Sequence, residues 1–363
     1  MGRVREICGE WDIVSISLPF VTGVAIGTLF PSSVWPLSFI LADSLLILSA
    51  TLLVSIGFNG KSRPAISSCF LLLGCFCILS CENTVLQENR GFLAGIASRK
   101  MSGLQSIIKS IDFRYERCAA LVSALLTGDK TALTAVEVSA FRDSGASHIL
   151  ALSGLHLGVI YQVIRKVFSL AGNSRAVRLS SAFCIAASGL FYVIMTGASA
   201  SIVRAYIFIL LNEAGRIEPQ RKRNGICTLM AALTIQLAIK PGSISSAAFQ
   251  LSYLAISGLI VLSPYLQSWY PGKGVFKKIW DIAAASISCQ LFTAPVAFFH
   301  FGTFPRHFLI TNLIALPLSE AIIVLAVVVL SLEAAGMPIP ILEDACSIAA
   351  EALMYSMEII SKM

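Results

Sequence analysis

The feature that most constrains this chain is the recurrence of apolar stretches about as long as a bilayer is thick. Crossing ~30 Å of hydrocarbon takes about 20 helical residues. Stretches near that length lie at 13–30, 34–57, 64–81, 144–164, 179–196, 201–215, 225–240, 246–263, 280–300 and 308–332, joined by short polar links. Only 13% of the 363 residues are charged, against about a quarter in soluble domains, so a bilayer must be the solvent. The expected fold class is all-α: a polytopic integral membrane helical bundle of about ten transmembrane helices with amphipathic interfacial helices.

With the N-terminus in the cytoplasm, the inside loops carry Arg3 and Arg5, Lys61 and Arg63, Arg165 to Arg178, Arg216 to Arg223, and Lys273 to Lys278. The outside links are nearly free of positive charge, so every alternation obeys the positive-inside rule. The same rule explains the net charge of +7 without nucleic acid. This order places 82–143 outside, where it reads as surface helices carrying Arg90, Arg99, Lys100, Lys109, Arg114 and Arg117. The expected division is an N-terminal transmembrane segment (1–81), a short periplasmic or interfacial segment (82–117), a transmembrane channel domain (118–335) and a C-terminal amphipathic helix (336–363). Most of the ten cysteines sit in or beside apolar runs and none forms a zinc-spaced CxxC pair, so no metal or other cofactor is expected.

Charged and strongly polar side chains within spans usually face a cavity or a partner. The richest stretch is TGDKTALTAVEVSAFRDSGASHILALSGLHLG, Thr127 to Gly158. At 100° per residue, Ser147, Ala151, Gly154 and Gly158 fall on one helix face and His148, Ser153 and His156 on another. The small face suits close helix approach. The polar face admits three roles: an interhelical hydrogen bond, a wet pathway, or metal or acid–base chemistry. In TGASASIVRAY, Thr196 to Tyr206, small residues including Gly197 open a helix that Ser199 or Ser201 caps, with Arg204 in its first turns. Free N–H groups plus a guanidinium make an anion site; the alternative is an Arg204 that reaches the headgroups or pairs with Asp129 or Asp143. FQLSY, Phe249 to Tyr253, adds Gln250 and Ser252. Gln290, His300, Asn312 and Glu320 follow, with Pro295, Pro305 and Pro317 as expected kinks. No Walker, Rossmann, HExxH or GxSxG motif is present.

Four of these stretches, GDK at Gly128 to Lys130, FRDSGASHILALSGLHLG at Phe141 to Gly158, TGASASIVRA at Thr196 to Ala205 and FQLSYLAISGL at Phe249 to Leu259, together resemble the competence domain of the ComEC family of DNA-uptake channels. The resemblance covers roughly residues 118–335. It implies a channel in the bacterial inner membrane that passes single-stranded DNA inward, after a pilus system and a periplasmic DNA receptor deliver the duplex and with a cytoplasmic helicase-like ATPase as motor. The implied path residues are Asp129, His148, Ser153, His156, Arg204, Gln250 and Ser252, and the implied helix-packing residues Gly154, Gly158 and Gly197. Many family members also carry an OB-like domain after the first spans and a terminal metallo-β-lactamase-like domain. Only Glu82 to Arg117 occupies the first place, and no HxHxDH motif is found, so a separate nuclease is expected and no enzymatic activity in this polypeptide. The reading leaves room for a homo-oligomer. The alternatives are a small-solute or anion transporter on the same fold, and an intramembrane metal-dependent enzyme.

Overall fold

The computed structural model describes residues 13–29, 45, 48–49, 63–83, 101–111, 113–151, 154–217, 225–302 and 307–363. The span expected at 34–57 falls almost wholly outside these residues, as do Ser153 and Pro305. The described residues form helices and no strand, as lipid requires of a chain that satisfies its backbone within each segment. The helices are α1 (Ile13–Gly27), α2 (Arg63–Asn83), α3 (Glu116–Thr127), α4 (Ala135–Asp143), α5 (Gly154–Leu170), α6 (Arg175–Met195), α7 (Ala200–Ile217), α8 (Gly225–Ile239), α9 (Ala247–Val261), α10 (Ser263–Ser268), α11 (Val275–Phe301), α12 (Phe308–Ala334) and α13 (Pro340–Ser361). A further helical stretch covers 101–110. Among the described residues, four helical segments are long and apolar enough to span by themselves: Arg175–Met195, Ala247–Ser268, Val275–Phe301 and Phe308–Ala334. The 15-residue α1 and α8 reach only about 22 Å at 1.5 Å per residue.

The chain divides into two compact units, one of residues 1–89 with 214–257 and the other of 90–213 with 258–363. In the first, α1 lies against α2 and α8. Glycine decides how closely: a Cβ on Gly23 would stand 1.9 Å from the Leu71 carbonyl oxygen, and one on Gly74 2.1 Å from that of Phe20. The Cys75 thiol donates to the Gly23 carbonyl at 3.1 Å across the same seam. This is the small-residue packing that replaces the hydrophobic effect inside lipid.

The second unit has a core of α3, α12 and α13, in which Leu121, Leu125, Ile322, Ala326, Ala350 and Leu353 are buried together. Surface helices are the sequence expectation for 82–143, and α3 departs from it: residues 121–127 are all buried. From Leu121 onward its residues are buried all round, where α12 and α13 share its core. The C-terminal helix α13 is amphipathic, and its stripe of Cys346, Ala350, Leu353, Met354 and Met357 faces this core. Pro295 and Pro317 lie inside continuous 27-residue helices and do not break them. Aromatic side chains remain exposed near both ends of α11: Trp269, Tyr265 and Phe276 at one, Phe298, Phe299 and Phe301 at the other. Girdles of this kind belong at membrane–water boundaries.

Candidate functional site

Several segments meet at one end of the second unit. The Tyr192 hydroxyl on α6 donates to the Leu126 carbonyl at the end of α3, 3.0 Å away. Thr311 Oγ1, in the first turn of α12, donates to the Ser144 carbonyl after α4 at 2.6 Å. A Cβ on Gly154 would come within 2.8 Å of the Ala205 Cβ, so the first turn of α5 presses against α7.

The GDK motif ends α3 at Gly128 and then makes an Asx turn. Asp129 Oδ1 accepts from the Thr131 N–H at 3.0 Å and Oδ2 from the Gln105 amide at 2.7 Å. The Thr131 backbone and hydroxyl, with Lys109 nearby, hold the Asp129 carboxyl below its usual value. A depressed carboxylate contributes stability above its unfolded pKa and loses it as pH falls through the folded one. The unfolding midpoint of wild type in detergent is therefore expected to hold its margin over Asp129→Asn from neutral pH to about 4 and to fall toward it as pH drops further; parallel curves below that pH would remove this linkage.

Next comes α4, opened by a capping box in which Thr134 Oγ1 accepts from the Glu137 N–H and Glu137 Oε2 from the Thr134 N–H at 2.8 Å. Its other oxygen, Oε1, pairs with Arg117 Nε at 3.1 Å, and Arg117 also reaches Glu358 at 3.0 Å and Glu351 at 4.0 Å. Arg117, one of the basic groups of the outer segment, is thus occupied with three carboxylates. Asp143, considered as a partner for Arg204, pairs with Arg142 at 3.3 Å.

The expected span 144–164 is interrupted. Gly145 takes φ 85°, a left-handed conformation that glycine adopts without strain, and residues 144–151 run as turns before α5 starts at Gly154. The helical faces expected to join Ser147 and Ala151 with Gly154 and Gly158, and His148 with His156, do not form, because 100° per residue holds only within a helix. His148 is exposed, its ring Nδ1 3.2 Å from the Gly145 carbonyl. His156 is buried on the face of α5 shared with Val159, which joins the α3–α12 core. Irregular backbone here is also buried, at Ser144, Ala146, Ile149 and Leu150. At membrane depth such backbone is tolerated only under protein cover or along a wet cavity.

The α6–α7 connection is a Schellman turn: the Ala198 N–H reaches the Val193 carbonyl and the Gly197 N–H that of Ile194. Gly197 has φ 70° and Ala198 φ 52°. The second costs strain for a residue with a Cβ. Ser199 follows as the cap residue, its carbonyl accepting from the Ile202 and Val203 N–H groups. Arg204 is buried on α7, 7% exposed. Gly197 therefore serves the turn and not helix packing, and a Cβ on Gly158 would meet nothing within 4 Å; of the three glycines singled out from sequence, Gly154 is the one at a helix contact. Two buried oxygens at this end, Ser199 Oγ and Asn312 Oδ1, have no hydrogen-bond partner, which marks unused capacity to bind water or ligand.

Gln250 and Ser252 belong to the first unit. Gln250 Nε2 donates to the Ile244 carbonyl at 2.8 Å, fixing α9 to the 3₁₀ turn Pro241–Ser245. Ser252 is half-buried on α9. Sequence reading passed over one polar group: Glu213, 4% exposed, accepts from the Tyr161 hydroxyl at 2.9 Å, and that oxygen accepts from Arg165 at 3.2 Å. An acid within an apolar run near 201–215 was the available signal.

A family model described as Competence protein matches residues 125–362. The chain belongs to the competence protein family. ComE operon protein 3 of Bacillus subtilis (strain 168) is 26% identical over 197 residues, 54% of this chain but 24% of that relative. The chain thus spans about a quarter of the relative's length in this alignment. No solved structure matches. The matched region contains Asp129, the 144–151 turns, the α6–α7 connection and α8 through α13, and so takes in residues of both units. Family membership and the four apolar spans make this a membrane protein.

Proposed function

We propose that this chain is a channel of the bacterial inner membrane that imports single-stranded DNA during natural transformation, with its N-terminus in the cytoplasm. The observation that carries the reading is the non-helical segment 144–151, with Ser144, Ala146, Ile149 and Leu150 buried, set at the same end of the unit as the α7 start with Arg204, within a competence family match. The Arg204 guanidinium offers a fixed, buried charge near the start of α7, and a passing phosphate recognises such a charge. Ser199 Oγ and Asn312 Oδ1 supply further polar contacts there. In this reading a periplasmic receptor presents the DNA, a separate nuclease degrades the second strand and a helicase-like ATPase pulls, so the chain itself catalyses no reaction. Asp129, held by Thr131 and Gln105, keeps the loop before α4 in shape and repels strands from its own edge.

The test is uptake of labelled DNA into the cytoplasm by a deletion strain with and without the wild-type gene. Restoration by wild type supports the channel; unchanged uptake on deletion ends it. The Arg204 helix start also suits a small carboxylate or phosphate, the second reading, which saturable uptake of a small anion that is indifferent to added DNA would favour.

A further inference from the structure

Two buried cysteines that the channel reading leaves unused lie against each other in the core of the second unit. Cys118 is on α3 and Cys346 on α13, both 1% exposed or less, both belong to the same buried core cluster, and each thiol is the group that the other interacts with most strongly. The helices are pinned beside this pair through the adjacent residues. The Arg114 N–H donates to Ser347 Oγ at 3.2 Å, and Arg117 binds Glu358 at 3.0 Å. Since Ser347 follows Cys346 and Arg117 precedes Cys118, these bonds hold the stretches of chain that carry the two cysteines against each other. Most buried cysteines act as small apolar side chains; a pre-aligned pair on two helices is also a cross-linking site.

We propose that Cys118 and Cys346 form a disulfide that clips α3 to α13, made by exchange with a disulfide oxidant during folding. The Cys118 thiolate attacks the oxidant's disulfide and releases one thiol; the Cys346 thiolate then attacks the Cys118 sulfur, closing the bond and releasing the second thiol. The two protons lost by the cysteines end on the reduced oxidant. The clip closes a loop containing α4 to α12, which restricts the unfolded chain strongly. It leaves the site end free of new contacts, and it is independent of whether the protein conducts DNA.

The full chain is refolded in detergent with oxidised and reduced glutathione, quenched in acid, alkylated, reduced, and alkylated again with a reagent of different mass. Peptides carrying Cys118 and Cys346 are expected to take the second label together, and digestion without reduction to yield the linked pair, while the exposed Cys184 takes the first label. In Cys346→Ala, Cys118 is expected to take the first label. Persistence of the first label on Cys118 and Cys346 of wild type overturns the proposal, as does glutathione bound to either one without the linked pair.

Discussion

Arg204→Ala is expected to lower delivery of labelled DNA to the cytoplasm about a hundredfold at matched membrane levels. That factor corresponds to loss of one charge-assisted contact of roughly 3 kcal/mol. Arg204 is buried, so its charge acts where water screens it little. It follows a turn in which Gly197 and Ala198 both take positive φ, a strained connection that fixes where α7 begins. Arg204→Lys keeps the charge but loses the planar fork, and should fall between wild type and alanine. Binding of duplex at the cell surface should be unchanged in both variants, because the defect lies at the crossing step. Equal import by wild type and alanine at equal membrane abundance would remove Arg204 from the path. The thermal unfolding midpoint of each variant separates loss of conduction from loss of fold.

Gly23→Leu is expected to be the most damaging substitution for the first unit, destabilising it by about 3 kcal/mol or more. Most overpacked side chains find relief by rotating a neighbour. Here the obstacle is the Leu71 carbonyl, 1.9 Å from the added Cβ, and a helical carbonyl cannot turn aside without breaking its own hydrogen bond. Relief therefore means parting α1 from α2, which also breaks the Cys75 thiol bond to the Gly23 carbonyl. Gly103→Leu, where an added Cβ meets nothing within 4 Å, is the control and should leave the midpoint within about 0.5 kcal/mol of wild type. Detergent-solubilised protein followed by thermal unfolding and limited proteolysis reads both. Equal midpoints for the two variants would show that the α1–α2 contact is looser than described.

The helical class was legible because hydropathy repeats at bilayer length, a property of composition in windows that needs no knowledge of neighbours. The positions of α1, α2, α6 and α7 follow the apolar runs within a few residues. The family was legible because four short motifs occur in one order, and the match over residues 125–362 agrees with them. Hydropathy and structure part at 144–151, where a helix is expected and turns are found. Residues 144–151 are as apolar as a span, and the turns there depend on Gly145 at φ 85° and on Thr311, 167 residues away, taking the Ser144 carbonyl. Hydropathy contains neither fact.

The same distinction applies to charge and to helix α3. A run of arginines and lysines between Arg90 and Arg117 reads alike whether solvated or paired, but Arg117 is taken by Glu137, Glu351 and Glu358, two of them on α13. Glu116–Thr127 is too short to announce itself as a core helix, and it becomes one because α12 and α13 cover it. The sequence by itself determined the solvent, the helical class, the family and the residue types available for contact with phosphate, since each follows from local composition or a contiguous motif. Tertiary structure alone decided which of those residues converge at one end of the second unit, which are consumed by partners, and that Cys118 and Cys346 share one buried core, because each depends on packing between segments far apart in the chain.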